Sequence, residues 1–425
     1  MNAPKTVALH TLGCKLNFSE TSTLGRLLEE DGFQRKDFEE KADVYVLNTC
    51  SVTENANKEC RQLIRRIRRK APQSTVVVTG CYAQLKPEEI AAIEGVDLVL
   101  GAAEKFNIVP HLKAIAEGDS GKICSCDITS VSGFHAAYSA GDRTRTFLKV
   151  QDGCDYNCSF CTIPMARGKS RSDQISHVVA NAEKLAAEGV QEIVLTGVNL
   201  GDFGKGAEGG SKPRQSFLDL IKALDKVEGI ARYRISSIEP NLLTAEIIEF
   251  VATSQKFMPH FHIPLQSGSN RILGLMRRRY RRELYEERVS LIKARMPHAC
   301  IGVDVITGFP SESEEDFRQT RDFLRALDVS YLHVFTYSER EGTEALHINP
   351  VVPQGIRHDR NRELRNLSFK KMQYFTAQHR GQKRPVLFEG KNKHGMMEGY
   401  TDNYIRASVP WRAEWENSIV SWEIH

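Results

Sequence analysis

Lys149-Val150-Gln151-Asp152-Gly153-Cys154-Asp155-Tyr156-Asn157-Cys158-Ser159-Phe160-Cys161-Thr162-Ile163-Pro164 carries three cysteines spaced Cys-x3-Cys-x2-Cys. The run from Phe147 to Val150 reads as a strand, and Gly153 permits a sharp turn into the cysteines. Thiolates suit zinc or an iron–sulfur cluster. A structural zinc takes four protein ligands, and this loop offers three. A cubane has four irons, so three thiolates leave one iron open to a small molecule, such as the amine and carboxylate of an amino acid. Zinc would need a distant fourth ligand. The loop's position after a strand, at the start of a long α/β repeat, favours the cluster.

Working outward, six strand-like runs alternate with helical ones: Thr146 to Val150, Glu192 to Thr196, Arg232 to Ser236, Phe261 to Leu265, Ile301 to Ile306 and Tyr331 to Phe335. The alternation predicts an α/β fold with a parallel sheet. Six units are too few for a full eight-unit barrel, so residues 146–350 are expected to form a partial (βα)6 barrel whose C-terminal strand edge is reactive. The strand ends offer Gly197 and Asn199, Ser237 and Glu239, Gln266, and Ile306 as small-molecule contacts. Singly, each reads better as ordinary turn chemistry. Gly204 to Gln215 reads as a mobile insertion. Arg277, Arg278, Arg279, Arg281 and Arg282 crowd six positions and are expected to meet phosphate.

The first 126 residues form an open parallel βα domain. Cys14, Cys50 and Cys81 each follow a predicted strand, at separations of 36 and 31 residues, one βα unit each. Parallel strands with right-handed crossovers place all three at the same sheet edge, where open α/β sheets bind ligands. A second three-thiolate site results. Cys60 and Cys300 read as packing residues. Cys124 and Cys126 fall at the entry to a linker. Arg61 to Lys70 holds six basic residues and no acidic one, which suits either a solvated face or an RNA contact.

Residues 127–145 read as a linker, 351–380 as a linker helix, and 381–425 as a small β-barrel of the kind that binds RNA. Lys383 and Arg384 begin its basic stretch. Trp411, Trp415 and Trp422 suit base stacking or a small core. The chain has 425 residues, 41% hydrophobic and 26% charged, with net charge +4. No apolar run nears membrane-spanning length, so no membrane association is expected. Ten cysteines without a signal-peptide pattern point to reduced thiols in the cytoplasm.

Taken together, the chain resembles the methylthiotransferases of the radical S-adenosylmethionine (SAM) superfamily over essentially its whole length. The motifs are Thr11-Leu12-Gly13-Cys14, Asn48-Thr49-Cys50, Thr79-Gly80-Cys81 and the Cys154 loop, in which Phe160 also fits. Val334-Phe335-Thr336-Tyr337-Ser338, Gly342-Thr343 and Glu398-Gly399-Tyr400-Thr401-Asp402-Asn403-Tyr404 resemble the MtaB type. The resemblance implies two [4Fe-4S] clusters, one on Cys154, Cys158 and Cys161 with SAM, and an auxiliary one on Cys14, Cys50 and Cys81. It also implies a TRAM-like tail, an external electron donor and sulfur source, and tRNA bound through its anticodon stem-loop. The implied reaction is methylthiolation of carbon 2 of N6-threonylcarbamoyladenosine at position 37. Other readings are a sister methylthiotransferase acting on isopentenyladenosine or a ribosomal-protein aspartate, and a non-catalytic iron–sulfur RNA-binding regulator.

Overall fold

The computed structural model describes residues 5–51, 54–118, 121–141, 144–205 and 215–425. Most of the expected mobile insertion lies outside the described residues.

The N-terminal domain is a six-stranded parallel sheet in the order Gln34–Arg35, Thr6–Thr11, Val44–Thr49, Thr75–Gly80, Leu98–Leu100, Ile123–Cys124. Val44–Thr49 is buried throughout, as a central parallel strand with both faces covered must be. Its residues alternate between two cores. Val44 and Val46 pack with Leu24, Leu28 and Ile108; Tyr45 and Leu47 pack with Ile64, Ile67 and Ile90. The strand order reverses between Thr6–Thr11 and Val44–Thr49, which makes the crevice at their C-terminal ends the natural ligand site. Cys14 and Cys50 follow these two strands. Four strands were expected here; Gln34–Arg35 and Ile123–Cys124 add two short edges. Cys124 is therefore part of the sheet rather than of a linker.

Six parallel strands build the central domain in two groups, Arg145–Lys149, Glu192–Thr196 and Arg232–Ile235, then His260–Gln266, Cys300–Thr307 and Tyr331–Thr336. Only the bridges Tyr233–Phe257 and Ser237–His262 join the groups, so the sheet bends at that seam into a partial barrel. The expected linker 127–145 is partly ordered: Ala137–Tyr138 pairs antiparallel with the first barrel strand. The helix Lys15–Glu30 lies against this edge, with Phe18 edge-on to Phe147 at 5.7 Å between centroids. The long helix expected within 351–380 spans Gln354–Ala377. It seals the opposite edge, where Ser368 Oγ accepts from Leu332 N and donates to Leu332 O.

The tail is a four-stranded antiparallel sheet, Arg406–Pro410, Met396–Thr401, Lys383–Lys391, Ile419–Glu423. Its outer strands do not pair with each other, so it is open rather than the expected closed barrel. It docks on the N-terminal edge of the barrel strands. Arg234 donates to Thr401 O (2.7 Å) and Asp402 O (2.9 Å), and Arg232 donates to Pro385 O (2.8 Å). Tyr404 stacks on His260 at 4.0 Å. Trp415 stacks on Phe388 and Trp422 joins the buried residues, while Trp411 is exposed. Among the described residues no helix is long and apolar enough to cross a membrane.

Candidate cluster-binding chamber

A two-residue antiparallel pair, Gln151–Asp152 with Arg171–Ser172, pins the base of the cysteine loop. Gly153 sits at φ +69°, and a Cβ there would lie 2.0 Å from Lys169 O. Each sulfur has an N–H donor: Tyr156 N to Cys154 Sγ (3.4 Å), Arg278 Nη1 to Cys158 Sγ (3.2 Å) and Ile163 N to Cys161 Sγ (3.5 Å). Such donors favour the thiolate. Burial works against it, pushing the Cys154 and Cys161 thiols up to about 12. Iron binding must therefore displace protons here. Three sulfurs with outward donors suit a cluster better than a closed four-ligand zinc site.

Around this loop, Val198 N and Asn199 N both donate to Gln151 Oε1 (2.8 and 2.9 Å). A Cβ at Gly197 would crowd the same oxygen at 2.9 Å. Asn199 Oδ1 and Thr196 Oγ1 are buried without a partner, open acceptors at the strand end where a polar small molecule would sit. Gln266 occupies a bulge at φ +67°. Ile306 packs with Phe309, Tyr337 and Phe160, whose ring meets Phe309 edge-on. Ser237 lies at the seam with His262. Glu239, expected as a small-molecule contact, is ion-paired with Arg278.

Around the second trio, a Cβ at Gly13 would lie 2.7 Å from Cys50 Cβ and 3.0 Å from its Sγ, so glycine lets the turn fold over Cys50. Asn17 Nδ2 ties the turn down by donating to Leu12 O and Thr49 O, each at 3.0 Å. Buried Ser51 Oγ and Asn48 Oδ1 have no partner, so the pocket has unused polar capacity. Cys81 opens the short helix Cys81–Leu85, and Ile163–Arg167 starts just past Cys161. These two helices pack together. Cys81 and Cys161 therefore lie on neighbouring elements. Ser51, Tyr82 and Thr162, the residues directly after Cys50, Cys81 and Cys161, line one cavity of about 480 Å³ with Arg340 and Gly342. The two three-sulfur donor sets each fit a cubane; Cys14 lines a second chamber and Cys81 borders a third.

Sequence reasoning missed a buried ion network between the domains. Arg167 Nη1 meets Glu20 Oε1 (3.0 Å) and Asp152 Oδ1 (2.9 Å); Lys105 and Lys149 reach Glu20 at 2.6 and 3.1 Å; Arg171 reaches Asp152 at 3.1 Å. The cations hold the Glu20 carboxyl well below its ordinary range despite its burial. Four cations face two carboxylates, leaving a formal surplus of two positive charges. Cys81 borders this network. Its burial raises the thiol, while Arg167 and Lys105 oppose that rise, so the surplus favours an anionic, thiolate-ligated group. A charged residue on an otherwise apolar helix face, Glu20, was the available signal.

The arginine run does not act as one phosphate grip. Arg278 is buried against Cys158 and Glu239, Arg279 donates to Asp155 O and lies over Tyr156 at 3.9 Å, and Arg277 pairs with Glu344. Arg282 donates to Gly268 O, and Arg281 is exposed at a helix start. Arg384 is clamped to Asp402 by two bonds of 2.8 and 2.7 Å, so of the tail pair only Lys383 is exposed. In the helix Glu54–Lys70, Arg61, Arg66 and Arg68 pair with Glu89, Glu39 and Asp97, leaving Arg65 and Arg69 exposed. Cys60 and Cys300 are fully buried packing residues.

The family model described as "Uncharacterized protein family UPF0004" matches residues 6–101, and that of the radical SAM superfamily matches residues 148–324. Curated threonylcarbamoyladenosine tRNA methylthiotransferases MtaB are similar along nearly the whole chain. The Bacillus subtilis protein is 40% identical over 414 residues, covering 94% of this chain and 89% of its own. The Aquifex aeolicus protein is 40% identical over 405 residues, covering 94% and 95%. The chain belongs to the MtaB family of radical SAM methylthiotransferases. A related tRNA-2-methylthio-N(6)-dimethylallyladenosine synthase of Clostridium tetani is 31% identical over 411 residues, covering 94% and 89%. Among solved structures, the radical SAM methyltransferase TsrM from Kitasatospora setae aligns with a TM-score of 0.57 at 17% identity, covering 78% and 73%. That likeness shows that the MtaB fold is shared with radical SAM enzymes.

Proposed function

We propose that this protein adds a methylthio group to carbon 2 of N6-threonylcarbamoyladenosine at position 37 of tRNA, the base beside the anticodon. Family membership supplies the reaction class, and one structural observation supports the two-site reading. The helix that opens on Cys81 packs against the one that starts just past Cys161, so radical source and sulfur donor would lie side by side. In this reading Cys154, Cys158 and Cys161 hold the SAM-binding cluster, and Cys14, Cys50 and Cys81 hold the auxiliary one. When bound, the first supplies the electron that releases a 5′-deoxyadenosyl radical from SAM, and the second supplies sulfur. The chain's own work is placement. The Gly153 turn and the Arg278–Glu239 pair orient the radical site, while Asn199 and the backbone at Gly197 offer polar contacts to SAM. Ile306, Phe309 and Phe160 build an apolar wall that keeps water from it. The Glu20–Arg167–Asp152 network locks one domain to the other, fixing the distance between sites. Arg281, Arg279, Arg65 and Lys383 are the exposed cations that would meet the anticodon arm.

Nucleoside mass spectrometry of tRNA from cells with and without the gene tests this reading. Expected is a 2-methylthio derivative of N6-threonylcarbamoyladenosine that disappears on deletion and returns on complementation. Loss of a different nucleoside would refute the substrate.

A further inference from the structure

We infer that Lys15 is the specificity residue that binds the carboxylate of the threonylcarbamoyl group; the inference rests on the substrate reading above. Lys15 is the first residue of the helix capped by Cys14. The two line a second chamber, of about 320 Å³, with Arg145, Phe147, Arg234, His260 and others. Lys15 is exposed to the space of this chamber, beside Cys14.

The other cations of the chamber are committed. Arg234 forks onto Glu192 (2.8 and 3.3 Å) and donates to two tail carbonyls. Arg145 is paired with Glu389 at 3.0 Å and covers the Tyr400 ring. Asp304 is bonded by His262 at 2.8 Å. The Lys15 side chain forms no hydrogen bond or ion pair with any described residue. A second unsatisfied group lines the same chamber: His260 is 4% exposed, and its Nδ1 is buried without a partner. With the chamber's arginines already committed, Lys15 is the cation there with hydrogen-bonding capacity to offer an anionic ligand.

The proposed substrate supplies such an anion. Its N6 substituent ends in the threonine carboxylate, whereas an isopentenyl group is uncharged and apolar. The ureido N–H can bond N1 of the adenine, which lays the amino-acid half along the base edge nearest carbon 2. Lys15 directly follows Cys14, so a carboxylate held by Lys15 brings carbon 2 to the auxiliary site. The same lysine would reject isopentenyladenosine, which leaves the cation unpaired.

The test uses the full-length reconstituted enzyme and anticodon stem-loop RNAs. These carry N6-threonylcarbamoyladenosine, its methyl ester, or isopentenyladenosine at position 37. The wild type is expected to prefer the free carboxylate over the ester by about 10–100-fold in kcat/KM, the range for a charge-assisted hydrogen bond. Lys15→Gln should bring that ratio close to one, through loss on the acid rather than gain on the ester. Its iron content and its SAM cleavage in the absence of RNA are measured alongside, and the acid-to-ester ratio, taken within one preparation, is independent of any loss of cluster. Lys15→Arg should keep part of the preference. Equal use of acid and ester by the wild type would overturn the assignment of Lys15 while leaving the substrate reading standing. So would a Lys15→Gln ratio equal to that of the wild type. If the wild type cleaves SAM but thiolates none of the threonylcarbamoyl RNAs, the substrate reading fails and this inference with it. A wild-type ratio near one refutes the assignment even if Lys15→Gln cannot be reconstituted, and Lys15→Arg supplies the second variant.

Discussion

Replacing Arg167 with Met should loosen the joint between the N-terminal domain and the barrel. Arg167 is 5% exposed and bridges Glu20, 1% exposed, to Asp152, 4% exposed. It also donates to Asn17 Oδ1, the residue that ties down the Cys14 turn. Removing one member of a buried ion pair typically costs about 3–5 kcal/mol. Here each carboxylate keeps other cations, Lys105 and Lys149 on Glu20, Lys149 and Arg171 on Asp152, which places the expected loss at the low end, about 3 kcal/mol. The loss should be local. Hydrogen–deuterium exchange should rise along residues 15–30 and 163–172 while the Cys300–Thr307 strand keeps its protection. The formal positive surplus beside Cys81 also falls by one charge, so iron uptake at the auxiliary site should weaken more than at the Cys154 loop. A double variant Glu20→Gln, Arg167→Met should cost less than the sum of the two singles. Unchanged exchange in both segments, or strict additivity, would refute the view that this network is the joint.

The remaining expectations are as follows. Anaerobic reconstitution should load about eight irons per chain, falling to about four when either trio is replaced by alanine; four in the wild type would remove one site. Replacing Arg278 with Met strips the N–H from Cys158 and leaves Glu239 unpaired, so SAM cleavage should fall even where iron content holds, as read by 5′-deoxyadenosine formation. Burial next to Arg234 holds His260 neutral, well below its ordinary pKa. The unfolded chain therefore binds a proton that the folded one refuses, and stability should decline as pH falls below about 6.5, by up to about 1.4 kcal/mol per pH unit. His260→Phe should flatten that slope in urea titrations at successive pH values, and an unchanged slope would contradict it. Neutralising exposed Arg281 and Lys383 should weaken tRNA binding and reduce its salt dependence, whereas neutralising Arg384 should destabilise the tail sheet first.

What the sequence disclosed was mostly local. The Cys154 loop is one turn with its glycine, and the βα alternation is a short-period pattern, so both could be read directly. The failures were non-local. Arg278 looked like one of five equivalent arginines because its partner Cys158 lies 120 residues away. Arg384 looked free because Asp402, which neutralises it, becomes adjacent only when the sheet forms. Glu20, Lys105, Asp152 and Arg167 come from separate segments and cancel one another only after docking. Closure of the tail also could not be read from strand count, since it depends on whether the two outer strands meet.

Tyr404 lines the same chamber as Cys14 and Lys15, although it belongs to the C-terminal sheet. With His260 and Tyr400 stacked beside it, this ring puts a plug from the last segment of the chain into the floor of that chamber. The tail is therefore not a detachable handle. A truncated enzyme would lose its floor as well as any grip on RNA, so deleting the segment would make binding and chemistry fail together. Point changes on the sheet's outer surface are the way to separate them.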